Sequence, residues 1–263
     1  MKNMKKMKLA CCVKILGCIA LSLLSATAGL GVGEGPVAEG EALLTSPTLD
    51  MSQAARALSL YQGALATGGA PRTPLLANLS RTCFVLGQLA PNQHSMGYYR
   101  QGQSYAETLI REGPNRVEGH YWLGMNLCGQ SEEGGKLLGR KLLPLILEEL
   151  NRALALDETY DQAGAHRVLG RIYYEAPGWP LSVGDMQKSL QHLKAAVRLS
   201  PPTSTNHLYL AQTLLRLQEA GLARQELEQV LKSTRSVVKP QDLEEDRREA
   251  RRLLAEIMGG EAR

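Results

Sequence analysis

The stretch 166–202 constrains the fold of this chain more than any other. Its first part, His166 to Tyr174, has the spacing of an amphipathic helix. Glu175 to Pro180 breaks that helix, and Ser189 to Ser200 forms a second one that Pro201 and Pro202 stop. The two helices make a hairpin whose apolar faces, with Leu169 and Tyr173 on one side and Leu193 and Ala196 on the other, need further helices to cover them. A unit that cannot bury its own face implies neighbours of the same kind.

Those neighbours are legible. The first helices His120-Tyr-Trp-Leu-Gly, His166-Arg-Val-Leu-Gly and His207-Leu-Tyr-Leu-Ala begin 46 and 41 residues apart. Each is followed by a partner helix with a large and a smaller apolar residue three apart: Leu150 and Ala153, Leu193 and Ala196, Leu227 and Val230. Self-similar helix pairs at such intervals are the mark of a helical solenoid. Composition agrees, because a chain rich in Leu, Ala, Gln, Glu and Arg with one Phe has little material for strands. The expectation is all-α: a helix-hairpin solenoid of ten to twelve helices with a C-terminal capping helix.

Upstream, Asp50 is placed to cap a helix reaching Thr67, and helices are expected over 73–89, 95–112 and 117–128, each closed by Gly or Pro. Residues 29–48, rich in Gly, Ala and Pro, read as a flexible lead-in. The repeats then occupy 49–238. Over 239–263 a capping helix and tail follow, in which Leu243, Ala250, Leu253, Leu254 and Ile257 share one face and charged residues cover the other.

The repeats resemble the tetratricopeptide family. From Ser204 to Val237 the unit has that family's length of about 34 residues, with Leu210 and Ala211 as the large-small pair and Ala223, Leu227 and Val230 at second-helix core positions. The preceding unit keeps Leu169, Gly170, Tyr173, Ser189, Leu193, Ala196 and Pro201 but carries about seven extra residues between its helices. The unit before that carries about ten, around Glu132 to Arg140. With these insertions the chain resembles the T component of bacterial TRAP transporters and, more distantly, the regulator of microtubule dynamics family. The resemblance covers about residues 95–235. It implies a scaffold that binds a protein partner, such as a periplasmic solute-binding protein, and that can form homo-oligomers.

The leader favours the bacterial group. Residues 1–28 hold five lysines up to Lys14, an apolar run from Ile15 to Leu24 and the small residues Ala26, Thr27 and Ala28, which is the layout of a secretory signal peptide. Cleavage after Ala28 sends the protein to the periplasm or outside the cell. An uncleaved anchor competes, although the run is shorter than the ~20 apolar residues of a spanning helix. Lipidation at Cys18, after Ile15-Leu16-Gly17, is the other alternative, although most of the apolar run follows that cysteine rather than preceding it. The leader also explains the basic balance: 30 basic residues less these five lysines leave 25 against 26 acidic ones, so no nucleic-acid partner is expected.

No catalytic constellation is present, and no enzyme, cofactor or metal is expected. His120, His166 and His207 recur at one repeat position. Equivalent positions lie a helix-packing distance of about 8–10 Å apart, too far to share one zinc ion, so hydrogen bonding to the neighbouring helix is their expected role. Gly129 to Lys136 lacks the spacing and the following Ser or Thr of a phosphate loop and is expected to be an ordinary loop. Cys83 and Cys128 are expected to pack between helices, with a single disulfide as the alternative.

Aromatic residues are scarce and grouped, and Tyr99, Tyr121, Trp122, Tyr173, Tyr174 and Trp179 form the candidate partner or ligand surface. Packing between repeats accounts for most such residues. The alternative is a groove whose Tyr and Trp side chains capture a protein or a small hydrophobic ligand such as an apolar carboxylate. Trp179 sits in a stiff loop, Pro177-Gly178-Trp179-Pro180. It either folds back over Tyr173 or Tyr174 or faces a partner.

Overall fold

The computed structural model describes residues 35–236 and 240–261, so the leader, its expected cleavage site and Cys18 lie outside the described residues. The described chain is all-α, with eleven helices: α1 (Pro36–Leu44), α2 (Met51–Thr67), α3 (Arg72–Leu89), α4 (Asn92–Glu112), α5 (Val117–Glu133), α6 (Gly135–Leu156), α7 (Tyr160–Glu175), α8 (Met186–Leu199), α9 (Ser204–Arg216), α10 (Ala220–Lys232) and α11 (Pro240–Glu261). Consecutive helices pack pairwise, and α11 closes the array against α9 and α10. Among the described residues no helix is long and apolar enough to cross a membrane.

The repeated sequence positions become one repeated contact. A side-chain carbon added at Gly124 would meet Leu150 at 3.0 Å, and one added at Gly170 would meet Leu193 at 2.6 Å. Glycine in α5 and α7 thus lets the partner-helix leucine seat against bare backbone, and the small Ala211 stands at that position in α9. Leu150, Leu193 and Leu227 are all fully buried, each with its smaller companion Ala153, Ala196 or Val230. The cap works as its pattern predicts, with Ala250, Leu253 and Ile257 packed on Leu208, Ala211, Leu227 and Val230. Its exposed face is covered by ion pairs such as Arg252 with Glu249 and Glu256.

Two local expectations are corrected. Residues 29–48 are not wholly a flexible lead-in, because 36–44 form α1. Gly40 lets that helix lie directly on the Tyr61 ring, and Glu41 pairs with Arg81 on α3 while accepting a hydrogen bond from the Tyr61 hydroxyl. A nine-residue helix is too short to hold alone, so its stability comes from that docking. Nor is Gly129 to Lys136 a loop. α5 runs on to Glu133, Gly134 alone connects, and Gly135 enters α6 with φ +72°, a conformation that glycine adopts without steric cost. The extra residues of this repeat are therefore added helical turns. Asp50 does cap α2: its side chain accepts from the Gln53 amide at 2.8 Å, and the Gln53 side chain accepts from the Asp50 amide at 3.1 Å.

The start of α7 departs from right-handed geometry. Asp161, Gln162 and Ala163 all have φ between 50° and 60° and ψ near 40–50°, a left-handed turn made by three non-glycine residues. Such residues cost about 1–2 kcal/mol each. The turn is held by Arg167, which is fully buried, donates to the carbonyls of Asp161 and Gln162 and to Asn206 Oδ1, and forms an ion pair with Asp161 at 3.0 Å. The Tyr121 hydroxyl donates to the same carboxylate. This polar knot joins three successive first helices, α5, α7 and α9.

Candidate binding surface

The six aromatic candidates do not form one surface. Tyr99, Tyr121 and Trp122 are buried in the main core with Phe84, Met125, Ile146 and Leu169, so their assignment to a partner surface is corrected. Tyr121 stands edge-on to both Trp122 and Tyr160, and the Trp122 ring N–H donates to the Tyr160 hydroxyl at 3.0 Å. The glycines on either side explain why Tyr99 is interior: a carbon added at Gly87 or at Gly129 would overlap its ring. The ring slots between bare backbone of α3 and α5.

Tyr173 and Tyr174 are half-buried and occupied. Tyr173 stacks on His192 with ring centres 5.6 Å apart and has the Lys188 ammonium over its ring. Tyr174 lies under the guanidinium groups of both Arg171 and Arg216, at 4.8 Å each, and Arg171 also covers Tyr209 at 4.7 Å. This arginine-tyrosine ladder borders a groove of about 400 Å³ whose other wall is α11, with Asp242, Glu245, Asp246 and Glu249. The chain's own last helix therefore faces that side of the array, and Ser204 and Thr205 donate to Asp246 at 2.6 and 2.8 Å.

Trp179 is different. It is 89% exposed and does not seal the hairpin; Tyr173 and Tyr174 are covered by His192, Lys188, Arg171 and Arg216 instead. The loop that carries it is fixed by its own backbone. The Gly184 amide donates to Pro177 O, the Asp185 amide to Tyr173 O, and the Leu181 and Ser182 amides to Gly178 O. Asp185 then caps α8 through the amides of Gln187 and Lys188. A backbone this well tied holds Trp179 and the 71% exposed Leu181 out in water, where apolar side chains are unfavourable.

Beneath this loop is a mostly apolar cavity of about 160 Å³. Cys128, Leu143, Ile146, Ile172 and Pro177 line it, and Leu181, Lys136 and Arg140 stand at its edge. Leu137, 84% exposed, follows Lys136 directly. The two insertions, one extending α5 and α6 and the other forming residues 176–185, thus meet at this cavity; Leu181 stands in its lining, while Trp179 and Leu137 are exposed elsewhere on the same two insertions. Sequence inspection missed Leu137 and Leu181. The available signal was an apolar residue inside each insertion, where the repeat pattern requires none.

The repeated histidines also acquire a definite role. His120 Nδ1 meets Glu149 at 2.6 Å and its Nε2 meets Pro114 O at 2.9 Å. His207 repeats the arrangement with Glu226 at 2.6 Å and Pro201 O at 2.8 Å. Each clamps the partner helix to the turn before its own helix. Glu149 and Glu226 directly precede Leu150 and Leu227, and in the central repeat that position is His192. His166 Nδ1 accordingly meets His192 Nδ1 at 3.0 Å, while Glu158, Arg198, Lys188 and Tyr173 complete the surroundings of the pair.

One proton between two facing nitrogens suits neutral rings. Burial lowers the pKa of His166, and burial together with the positive charges nearby lowers that of His192 to about 4. Both folded values lie below the unfolded one of 6.5, so the contribution to stability is complete above pH 6.5 and is lost as pH falls toward 4. His192→Glu restores the pairing of the neighbouring repeats. The expected result is a flatter dependence of melting temperature on pH over this window, and an unchanged profile would remove the pair from any account of acid sensitivity.

Cys83 and Cys128 are buried and form no disulfide; burial pushes the Cys83 thiol up to about 12. Among the described residues no three His, Cys, Asp or Glu side chains are grouped to hold a metal.

Comparison with known proteins agrees with this geometry. A family model described as TRAP transporter T-component matches residues 92–258. The crystal structure of TTC0263, a thermophilic TPR protein of Thermus thermophilus, superposes with a TM-score of 0.61 at 21% identity, covering 82% of this chain and 96% of that one; this likeness concerns the fold. The crystal structure of yeast Tom70 matches at 11% identity over 96% of this chain and 68% of that one, with a TM-score of 0.36. A search of curated protein sequences finds no match.

Proposed function

Because this chain belongs to the TRAP transporter T-component family, we propose that it is an exported, non-catalytic scaffold that binds a protein partner, the solute-binding protein of a TRAP-type uptake system. The observation that carries this reading is the exposed apolar cluster of Trp179 and Leu181, two residues apart on one loop whose backbone is held by its own hydrogen bonds. Exposed apolar groups on a pre-formed backbone are the usual anchors of protein association, because little further ordering is needed on binding. The leader, with its lysines, apolar run and Ala26-Thr27-Ala28, supports the periplasmic location. A second reading, capture of a small apolar molecule, is favoured by the cavity beneath the cluster.

The test is capture of the solute-binding protein from periplasmic extract, with mass spectrometry of any small molecule that co-purifies, followed by titration of the purified pair. Trp179→Ala combined with Leu181→Ser is expected to weaken the complex by at least ~2 kcal/mol, on the order of thirtyfold. The melting temperature should stay close to that of the parent, since both side chains already face water. A variant that binds as tightly as the parent would remove the cluster from the interface. A parent that self-associates through this cluster, seen by sedimentation, would replace the proposed partner with a second copy.

A further inference from the structure

We propose that the protein partner meets Trp179 and Leu181 with a face whose apolar recess is bordered by at least two carboxylates, and that Lys136 and Arg140 pair with those carboxylates. The proposal rests on the protein-partner reading above and adds to it the chemistry of the partner's side.

Position is the first argument. Trp179 and Leu181 stand in water on a loop whose backbone is tied down, and such side chains form the apolar centre of an interface, which polar groups then surround. Leu181 shares the lining of one hollow with Lys136 and Arg140. These two cations are four apart on α6 and so project from one face of it, beside the apolar anchor.

Charge is the second argument. Between positions 133 and 141 the exposed charged residues are three cations, Lys136, Arg140 and Lys141, against Glu133 alone. The other nearby acids are committed: Glu175 is engaged by Arg171, and Asp185 accepts from the amides of Gln187 and Lys188. Among the described residues Lys136 and Arg140 have no ion-pair partner. A face carrying carboxylates supplies what the chain itself does not, whereas a basic face would set like charges together. Because these cations are exposed, their attraction acts chiefly before contact, orienting the incoming partner, and salt screens it over about 8 Å at physiological ionic strength. Trp179 and Leu181, by contrast, govern how slowly the complex comes apart.

The test is the association kinetics of the full chain with the solute-binding protein, at low salt and at ~0.5 M salt. Lys136→Glu with Arg140→Glu is expected to slow association at least about tenfold at low salt, to leave dissociation within about threefold of the parent's, and to lose most of its effect at high salt. The melting temperature should not move, since both side chains are exposed. Arg111→Glu with Arg116→Glu is the control: it changes net charge equally at the opposite end of α5, about 25 Å away along its 17 residues, and should alter association less than about threefold. Among partner variants with single Asp or Glu residues changed to Lys, at least one should restore the rate of the doubly reversed chain. Equal slowing by both pairs of substitutions would reduce the effect to net charge and overturn the proposal. Association that is unchanged or faster in the Lys136→Glu, Arg140→Glu chain would overturn it as well. Co-sedimentation of the parent with vesicles of anionic lipid, lost in that chain, would give the cations to a membrane surface instead. None of these results removes the protein-partner reading, which is tested at Trp179 and Leu181; a parent that captures no solute-binding protein removes both.

Discussion

Arg167→Ala is expected to be among the most damaging single substitutions in the chain, at about 3–5 kcal/mol, the cost of breaking a buried ion pair by removing one partner. The arginine is fully buried and its guanidinium serves several groups at once: the Asp161 carboxylate at 3.0 Å, the carbonyls of Asp161 and Gln162, and Asn206 Oδ1. Without it, a carboxylate buried beside Tyr121 is left uncompensated, and three residues in left-handed geometry lose the donor that holds them. Because folded domains are stable by only about 5–15 kcal/mol, the loss should be visible as a large drop in urea midpoint or as failure to accumulate folded protein.

Arg167→Met combined with Asp161→Asn separates the charge effect from packing. Removing both charges together should cost less than the sum of the single changes, because each single change leaves the other charge buried alone. If Arg167→Ala costs under ~1 kcal/mol by denaturation, the left-handed turn is held by something other than this pair, and Asn206 with its bonds to Gln162 O and Ala196 O becomes the alternative.

Tyr99→Ala should also cost about 3–5 kcal/mol, the range for truncating a buried aromatic side chain. The ring is 2% exposed, sits between Gly87 and Gly129, and packs at 5.9 Å from Phe84, so truncation opens a void between α3 and α5 that backbone cannot readily fill. Tyr99→Phe keeps the packing and loses the hydrogen bond from Gln88 at 2.8 Å, for a cost nearer ~1 kcal/mol. The reciprocal change Gly129→Ala forces a methyl onto the ring and should cost about 1–3 kcal/mol. Stability of all three is read from chemical denaturation. A Tyr99→Ala protein as stable as its parent but impaired in partner capture would return Tyr99 to the binding surface.

What the sequence determined by itself was the repeat. Alternating helix faces and breakers, the large-small pairs at Leu123-Gly124, Leu169-Gly170 and Leu210-Ala211, and the partner leucines at 150, 193 and 227 suffice for an all-α solenoid with a polar-backed cap, because the hydrophobic period and the stop residues act within each hairpin. The histidines at 120, 166 and 207 were legible as structural for the same reason: they recur in register with the core. Residues 36–44 were not, since so short a segment becomes helical only when Tyr61 and Arg81, far along the chain, provide a surface for it.

The binding surface was decided by tertiary structure. An aromatic side chain has the same amphipathic character whether it is slotted between two glycines, as Tyr99 is, covered by two arginines, as Tyr174 is, or held out in water, as Trp179 is. Which of these occurs depends on what neighbouring helices bring within reach, and no local pattern encodes that. The same holds for the cavity: Cys128, Lys136, Arg140, Ile172 and Leu181 are spread over more than fifty residues and share a lining because two insertions, one helical and one a tied loop, project from adjacent repeats toward the same side.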